Sequence, residues 1–288
     1  MKVIEALKKE TPALSFEFFP PKTPEQETNL FDVISELKQF QPDFASITYG
    51  AMGTTRERTF FWAEKIKREF GIEPVAHLTC IAATKASISR QLAEIRGMGI
   101  ENILALRGDP PADQPNWQPP ADGFHYASEL IAFLKHQAPE FCLGAAGFPE
   151  GHPSTKSVSR DLEHLKRKAA AGAEYVITQL FFQNEDYFSY VDQCRQAGIA
   201  VPIVPGIMPV TSLKQIQRMT KVCGATVPKQ LMQKLEKHQQ DAASVEAIGI
   251  EQAVNQCREL LSSKVPGIHF FVMNQAGPIG KVLKALIR

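Results

Sequence analysis

The chain has 288 residues, 44% of them hydrophobic and 22% charged, and a formal net charge of +1. That balance is ordinary for a globular protein and gives no electrostatic reason to expect nucleic acid or an anionic membrane as partner. No apolar run reaches the roughly 18 residues a membrane span needs. The five cysteines (Cys80, Cys142, Cys194, Cys223 and Cys257) are scattered without a CxxC pair. Zinc, iron–sulfur clusters and a disulfide scaffold are therefore not expected, no metal is expected, and the cytoplasm is the expected compartment.

The opening stretch MKVIEALKKETPAL carries acids and lysines without a cleavable apolar core and reads as a short helix, not a signal peptide. LSFEFF is the first strand. Thr23 as N-cap, Pro24 at the first helical position and Gln26 three after the cap open a helix. Its apolar face is expected to run through Phe31, Ile34 and Leu37, with Lys38 following. ASITYG is the second strand, and TRERTFFWAEKIKREFG its helix, ended by Gly71. PVAHLTC precedes KASISRQLAEIRGMG. NILALRGD precedes a Pro-rich loop from Pro110 to Phe124, expected over the mouth, and then HYASELIAFLKHQ. LGAAGFP precedes DLEHLKRKAAAG, and EYVITQLFF precedes DYFSYVDQCRQAG. IVPGIMP precedes SLKQIQRMTKVCG and a long helical stretch from Pro228 to Leu261. GIHFFVMN is the eighth strand, and GKVLKALIR closes the chain.

Eight strands alternating with helices, the helices tending to end at glycine, predict parallel crossovers. Eight such units in this length predict a closed α/β barrel, (β/α)8, occupying residues 1–288 as one domain, with an extra helical segment before the last strand. A doubly wound open sheet is the competing arrangement. It is less favoured because no GxGxxG follows the first strand.

In such a barrel chemistry sits where strands end. Alternation in SFEFF puts Ser15, Glu17 and Phe19 on one face and Phe16 and Phe18 on the other. If Glu17 faces inward among aromatics, desolvation raises its pKa and keeps it protonated near neutrality, ready to act as an acid. A buried glutamate tied to a lysine or arginine is the equal alternative. Thr48 and Tyr49 end the second strand; by themselves they signify only a turn. His77 interrupts the third strand, where a hydrogen-bonded core histidine is the commoner outcome. Arg107, Gly108 and Asp109 end the fourth, as a ligand-facing turn or simply an Arg–Asp turn, and Gly108 would let backbone approach a ligand. His152 lies in the loop after the fifth strand. Gln179 is a buried amide that needs partners. Asp161, His164 and Lys168 share a helix face suited to a phosphate and sugar, although a solvated charged face is the commoner reading of such a pattern. Their joint placement at strand ends supports a polar ligand pocket holding an acid, without naming the ligand.

The motifs SFEFFPPK, ASITYGAMG, AHLTC, ALRGDPP, FPEGHP, DLEHLKRK, ITQLFF and PGIMPV, in this order from about Leu14 to Asn274, closely resemble bacterial 5,10-methylenetetrahydrofolate reductases. The resemblance implies a barrel that carries FAD and reduces 5,10-methylenetetrahydrofolate to 5-methyltetrahydrofolate with NADH or NADPH, feeding methionine and one-carbon metabolism, as a homo-oligomer. Eukaryotic relatives add a C-terminal regulatory domain that this chain is too short to contain.

By the same resemblance Glu17 is the general acid, Asp109 lies near flavin and pterin, and Gln179 contacts substrate or nicotinamide. Thr48, Tyr49, Ala51, His77, Arg107, Gly108, Tyr126, Ala127, Phe148, His152, Asp161, His164, Arg167 and Lys168 line the flavin. Basic Arg167 and Lys168 suit its diphosphate. Gln215 matches a folate contact. Met219 stands where some relatives have a stacking phenylalanine, and Gln275 where some have an arginine suited to the folate tail. Two rivals from other classes are a flavin-free lyase or hydrolase using Glu17 and Asp109, and a non-catalytic subunit of an electron-transfer complex docking through the segment from Pro228.

Overall fold

A computed structural model of the chain describes residues 1–49, 56–109, 117–153, 155 and 157–287. Nine strands alternate with helices: α1 Val3–Ala6, β1 Ala13–Phe18, α2 Pro24–Lys38, β2 Phe44–Ile47, α3 Arg56–Lys65, β3 Glu73–Thr79, α4 Lys85–Gly97, β4 Asn102–Leu106, α5 Ala127–Gln137, β5 Cys142–Gly147, α6 Val158–Ala170, β6 Tyr175–Thr178, α7 Asn184–Gln196, β7 Ile203–Val204, β8 Gly206–Ile207, α8 Leu213–Cys223, α9 Lys229–Lys237, α10 Ala242–Ser262, β9 Gly267–Phe271 and α11 Ala276–Leu286. A π-helical turn, Ile66–Phe70, prolongs α3 to Gly71, which caps it with a left-handed φ of 67°.

All strand pairs are parallel, in the order β7-β6-β5-β4-β3-β2-β1-β9-β8. β7 and β8 are two halves of one strand broken at Pro205, which has no N–H to donate to a ladder. The first half pairs with β6 and the second with β9, which closes the ring into the expected eight-stranded barrel. At the seam the Gly206 N–H donates to Thr178 Oγ1 at 2.9 Å. A Cβ at residue 206 would stand 2.3 Å from the Thr178 carbonyl oxygen, so only glycine fits this close approach.

Inward and outward residues alternate along each strand. Phe16 and Phe18 point out into the layer between barrel and helices, packed with Leu30, Ile34, Leu37 and Trp62. The buried face of α2 is Leu30, Val33, Ile34 and Leu37, whereas Phe31 is 39% exposed and meets Phe70 at the surface. Ile34 and Leu37 of the expected stripe are buried, and Leu30 and Val33 complete it in place of Phe31, because they continue the 3.6-residue period. Inside, the lower barrel is apolar: Ala13, Phe44, Val75, Leu104, Tyr175 and Val204 pack with Val3 and Ala6 of α1 and with Leu7 after it, which plug the amino ends of the strands. The extra helical segment before the last strand is α9 and α10. No helix among the described residues is long and apolar enough to cross a membrane.

Candidate active site

Above the apolar layer the barrel interior turns polar. Strand register sets Ser15 beside His269, Glu17 beside Ser46, and Glu17 beside Phe271. Ser15, Ser46, His77 and His269 are all buried. Ser15 Oγ lies 2.9 Å from His269 Nδ1. Glu17 Oε2 stands 3.6 Å from His77 Nε2 and 3.8 Å from His269 Nε2. Both distances exceed a hydrogen bond, and both buried Nε2 atoms have no hydrogen-bond partner. The Glu17 side chain is 14% exposed, which puts its carboxyl at the floor of the mouth.

This surrounding corrects the expected protonation of Glu17. Burial pushes its pKa up, but His269, His77 and Ser46 together outweigh that and hold the carboxyl below its ordinary range. Phe16 and Phe18 face the helices, and histidines and hydroxyls line the Glu17 side beside Phe271. His77 is itself pushed down by burial to about 4. At pH 7 it is therefore neutral.

A second cluster forms at the ends of β4 and β5 and on α6. The His152 N–H donates to Asp161 Oδ2, Thr155 Oγ1 donates to the same oxygen at 2.9 Å, and His152 meets Phe148 edge-on at 4.6 Å. Burial and the charge of Arg107 lower the pKa of His152, while Asp161 and Asp109 oppose them and Lys168 adds to the lowering. Residues from the end of β4 and from α6 therefore act on one ring. Lys168 Nζ donates to the Ala146 carbonyl at 2.5 Å and lies 6.0 Å from the Phe148 ring centroid. Burial brings its pKa down to about 8, although Asp161 opposes this. Beside this cluster Tyr126, 44% exposed, stacks on His164 at 5.2 Å, and Ala127 begins α5 beneath it.

Other expected site residues are placed differently. Arg167 is 59% exposed and pairs with Glu163 on the solvent side of α6. Tyr49 packs against Phe60 in the helix layer, with its hydroxyl 3.4 Å from Gln91 Oε1 on α4. The Thr48 carbonyl accepts from Thr59 Oγ1. Gly108 has a left-handed φ of 77°, and a Cβ there would meet Ile81 at 2.6 Å, so the turn itself favours glycine. Gln179 follows β6 and is half-buried, its Oε1 accepting from the Leu180 N–H. Gln215 Oε1 accepts from Thr211 N–H and Oγ1 at the start of α8. Met219 is half-buried on α8, and Gln275 is exposed before α11. Asp109 is exposed at the mouth. Ala51 and part of the Pro-rich loop lie outside the described residues.

Sequence reasoning missed His269, Ser46 and Asn274. His269 and Ser46 carry a readable signal, since each is a polar residue at the inward phase of an otherwise apolar strand. Asn274 has none, because its partner, Phe19, is 255 residues away.

A groove of about 530 Å³ between α10 and α11, lined by Glu246, Ile250, Val254, Arg258 and Lys281, lies in the helix layer and away from the strand ends where these groups converge. Among the described residues no three His, Cys, Asp or Glu side chains are grouped to hold a metal.

The family model for methylenetetrahydrofolate reductase matches residues 2–287. The chain belongs to the methylenetetrahydrofolate reductase family. It is 38% identical over 265 residues to 5,10-methylenetetrahydrofolate reductase of Escherichia coli, covering 91% of this chain and 86% of that one. It is 36% identical over 280 residues to methylenetetrahydrofolate reductase 1 of Schizosaccharomyces pombe, covering 96% of this chain and 46% of the relative. With the Arabidopsis thaliana protein named methylenetetrahydrofolate reductase (NADH) 1 it shares 36% over 288 residues, covering 95% of this chain and 49% of the relative. The chain thus spans about half the length of these eukaryotic relatives. A solved Clostridium thermocellum protein, 14% identical, superposes with a TM-score of 0.67 over 99% of this chain and 98% of its own, which shows the same fold.

Proposed function

We propose that this chain reduces 5,10-methylenetetrahydrofolate to 5-methyltetrahydrofolate, using FAD and a reduced nicotinamide, NADH or NADPH. The observation that carries the reading is Glu17 at the floor of the mouth, facing two buried histidine nitrogens without hydrogen-bond partners, in a chain of this family.

The residues at the mouth fit a flavin dinucleotide. Lys168 brings a half-buried cation suited to a diphosphate, and the Tyr126–His164 stack offers a flat aromatic edge for a second ring system. His152 and Phe148 lie between them and Arg107. Bound there, the flavin supplies hydride received from the nicotinamide.

The chain's own groups do the rest. Glu17 donates a proton to N10 of the folate's five-membered ring; the C–N10 bond breaks and a cation forms at N5 and the bridging carbon. Asp109, exposed at the mouth, favours that cation electrostatically. Glu17 must be protonated to begin. A folate ring covering the mouth removes the remaining exposure of its side chain, strengthens the burial penalty and shifts the carboxyl towards its acid form. Ser46, His77 and His269 surround it, and Ser15 contacts the His269 ring at Nδ1. Gln179, Gln215, Met219 and Gln275 are assigned to substrate contacts on the family resemblance.

The test is a pair of half-reactions. The purified protein should be yellow, bleach with NADH or NADPH, and recover its absorbance on mixing with methylenetetrahydrofolate. A colourless protein that takes up no FAD would overturn the reading.

A further inference from the structure

The loop after β5 carries a carboxylate that the mechanism does not use. Glu150 is half-buried, and both of its oxygens accept from the Thr226 N–H, at 3.1 Å and 2.9 Å. Thr226 lies three residues beyond α8. Gly224 ends that helix with a left-handed φ of 75°, and a Cβ at this position would press on Pro153 of the same β5 loop at 3.0 Å. Two contacts therefore dock the end of α8 on the loop that carries His152.

The two sides of this junction face different parts of the mouth. His152, Phe148 and Asp161 belong to the cluster assigned to the cofactor. On α8, Gln215, Met219 and Cys223 recur every four residues and so share one face. The charges of Asp109 and Glu17 both reach the Cys223 thiol, which burial holds up at about 11. Gln215 and Met219 on that face are the residues assigned above to the folate, and Cys223 below them is buried. The β5 loop has anchors of its own: His152 N–H to Asp161, Thr155 N–H to the His152 carbonyl at 3.0 Å, and Gly151 N–H to the Phe148 carbonyl at 3.0 Å. The carboxylate of Glu150 adds little to these within its loop, and its hydrogen bonds run to the α8 side.

We propose that Glu150 is a positioning residue that latches α8 to the cofactor loop, so that filling the cofactor side of the mouth fixes the Gln215–Met219–Cys223 face for the folate. The proposal rests on the function proposed above and adds a coupling between the two halves of the site. Ordering the loop costs conformational entropy once, and the second ligand then meets a helix already held.

The experiment compares wild type, Glu150→Ala and Glu150→Gln. In wild type, FAD should slow amide hydrogen exchange across residues 213–226. Glu150→Ala should bind FAD within about threefold of wild type and lose that slowing. Its half-saturating methylenetetrahydrofolate concentration in single-turnover reoxidation should rise about tenfold, the scale of one lost charge-assisted contact. The rate at saturation should stay within about twofold. Glu150→Gln keeps one oxygen able to accept from Thr226 and should fall between, and it carries the test alone if the alanine variant does not fold. A merely structural role would lower FAD content and both half-reactions together, and that result would overturn the latch. So would wild-type folate dependence, or intact FAD-dependent protection of α8, in Glu150→Ala. If wild type itself takes up no FAD and is not bleached by nicotinamide, the function proposed for the site fails and the latch with it; if wild type turns over and the variants match it, only the latch fails.

Discussion

Asn274 pairs with the backbone of Phe19 through both ends of its amide: Nδ2 donates to the Phe19 carbonyl at 2.9 Å, and Oδ1 accepts the Phe19 N–H at 3.0 Å. Asn274 and its neighbour Met273 hold left-handed φ values of 53° and 54°, which non-glycine residues seldom adopt, asparagine more readily than most. The pairing ties the loop after β9 to the loop after β1, two residues from Glu17. Asn274→Asp keeps the acceptor but turns the contact with the Phe19 carbonyl repulsive. It should cost about 1–2 kcal/mol in urea unfolding, and Asn274→Gly, which accepts the φ but lacks the amide, about 1 kcal/mol. Unchanged midpoints in both would show that the pairing contributes nothing.

Glu17→Gln should separate the half-reactions. Hydride transfer from nicotinamide to flavin needs no proton on N10, so bleaching should proceed near the wild-type rate. Reoxidation by methylenetetrahydrofolate should slow about 10²–10⁴-fold, the usual contribution of a positioned general acid. Stopped-flow single turnovers read both rates. Equal slowing of the two would make Glu17 a support for the strand or the flavin.

His77 gives the unliganded protein an acid-side signature. Its folded pKa, about 4, lies below the ordinary 6.5. Between those values the unfolded chain binds a proton that the folded chain refuses, so stability falls as pH drops through the window. Glu17, also held low, adds loss in the same direction further down. His77→Gln should flatten the dependence between pH 6.5 and 4 in urea titrations, and an unaltered slope would place the effect elsewhere.

Lys168 predicts the opposite limb. Its folded pKa of about 8 against an ordinary 10.5 means that, above pH 8, the unfolded chain holds the extra proton and stability rises with pH until about 10.5. Buried cysteines with raised pKa values, such as Cys257 at about 12, slope the other way over part of this range. The diagnostic quantity is therefore wild type minus Lys168→Met, which should climb from pH 8 upward. The same variant should retain FAD about tenfold less well at low salt. Arg167→Ala, which removes a surface pair with Glu163, should matter less to retention than Lys168→Met.

The barrel itself was legible in the order of residues. Strand and helix periods, the Thr23 cap and the glycine-terminated helices are local properties, written within a few residues of where they act, and they placed eight strands and the extra helices before the last one. The alternation that sets Glu17 on the face opposite Phe16 and Phe18 was legible for the same reason, while which face turns inward was left open. Tertiary structure alone decided what surrounds Glu17. His77 and His269 come from strands 60 and 252 residues further along the chain, and they reverse the protonation expected of a glutamate flanked by phenylalanines. The Asn274–Phe19 pairing and the Glu150–Thr226 contact are likewise long-range. A side chain's identity states what bonds it can make, but its partner is chosen only when the ring closes and brings distant strand ends to one mouth.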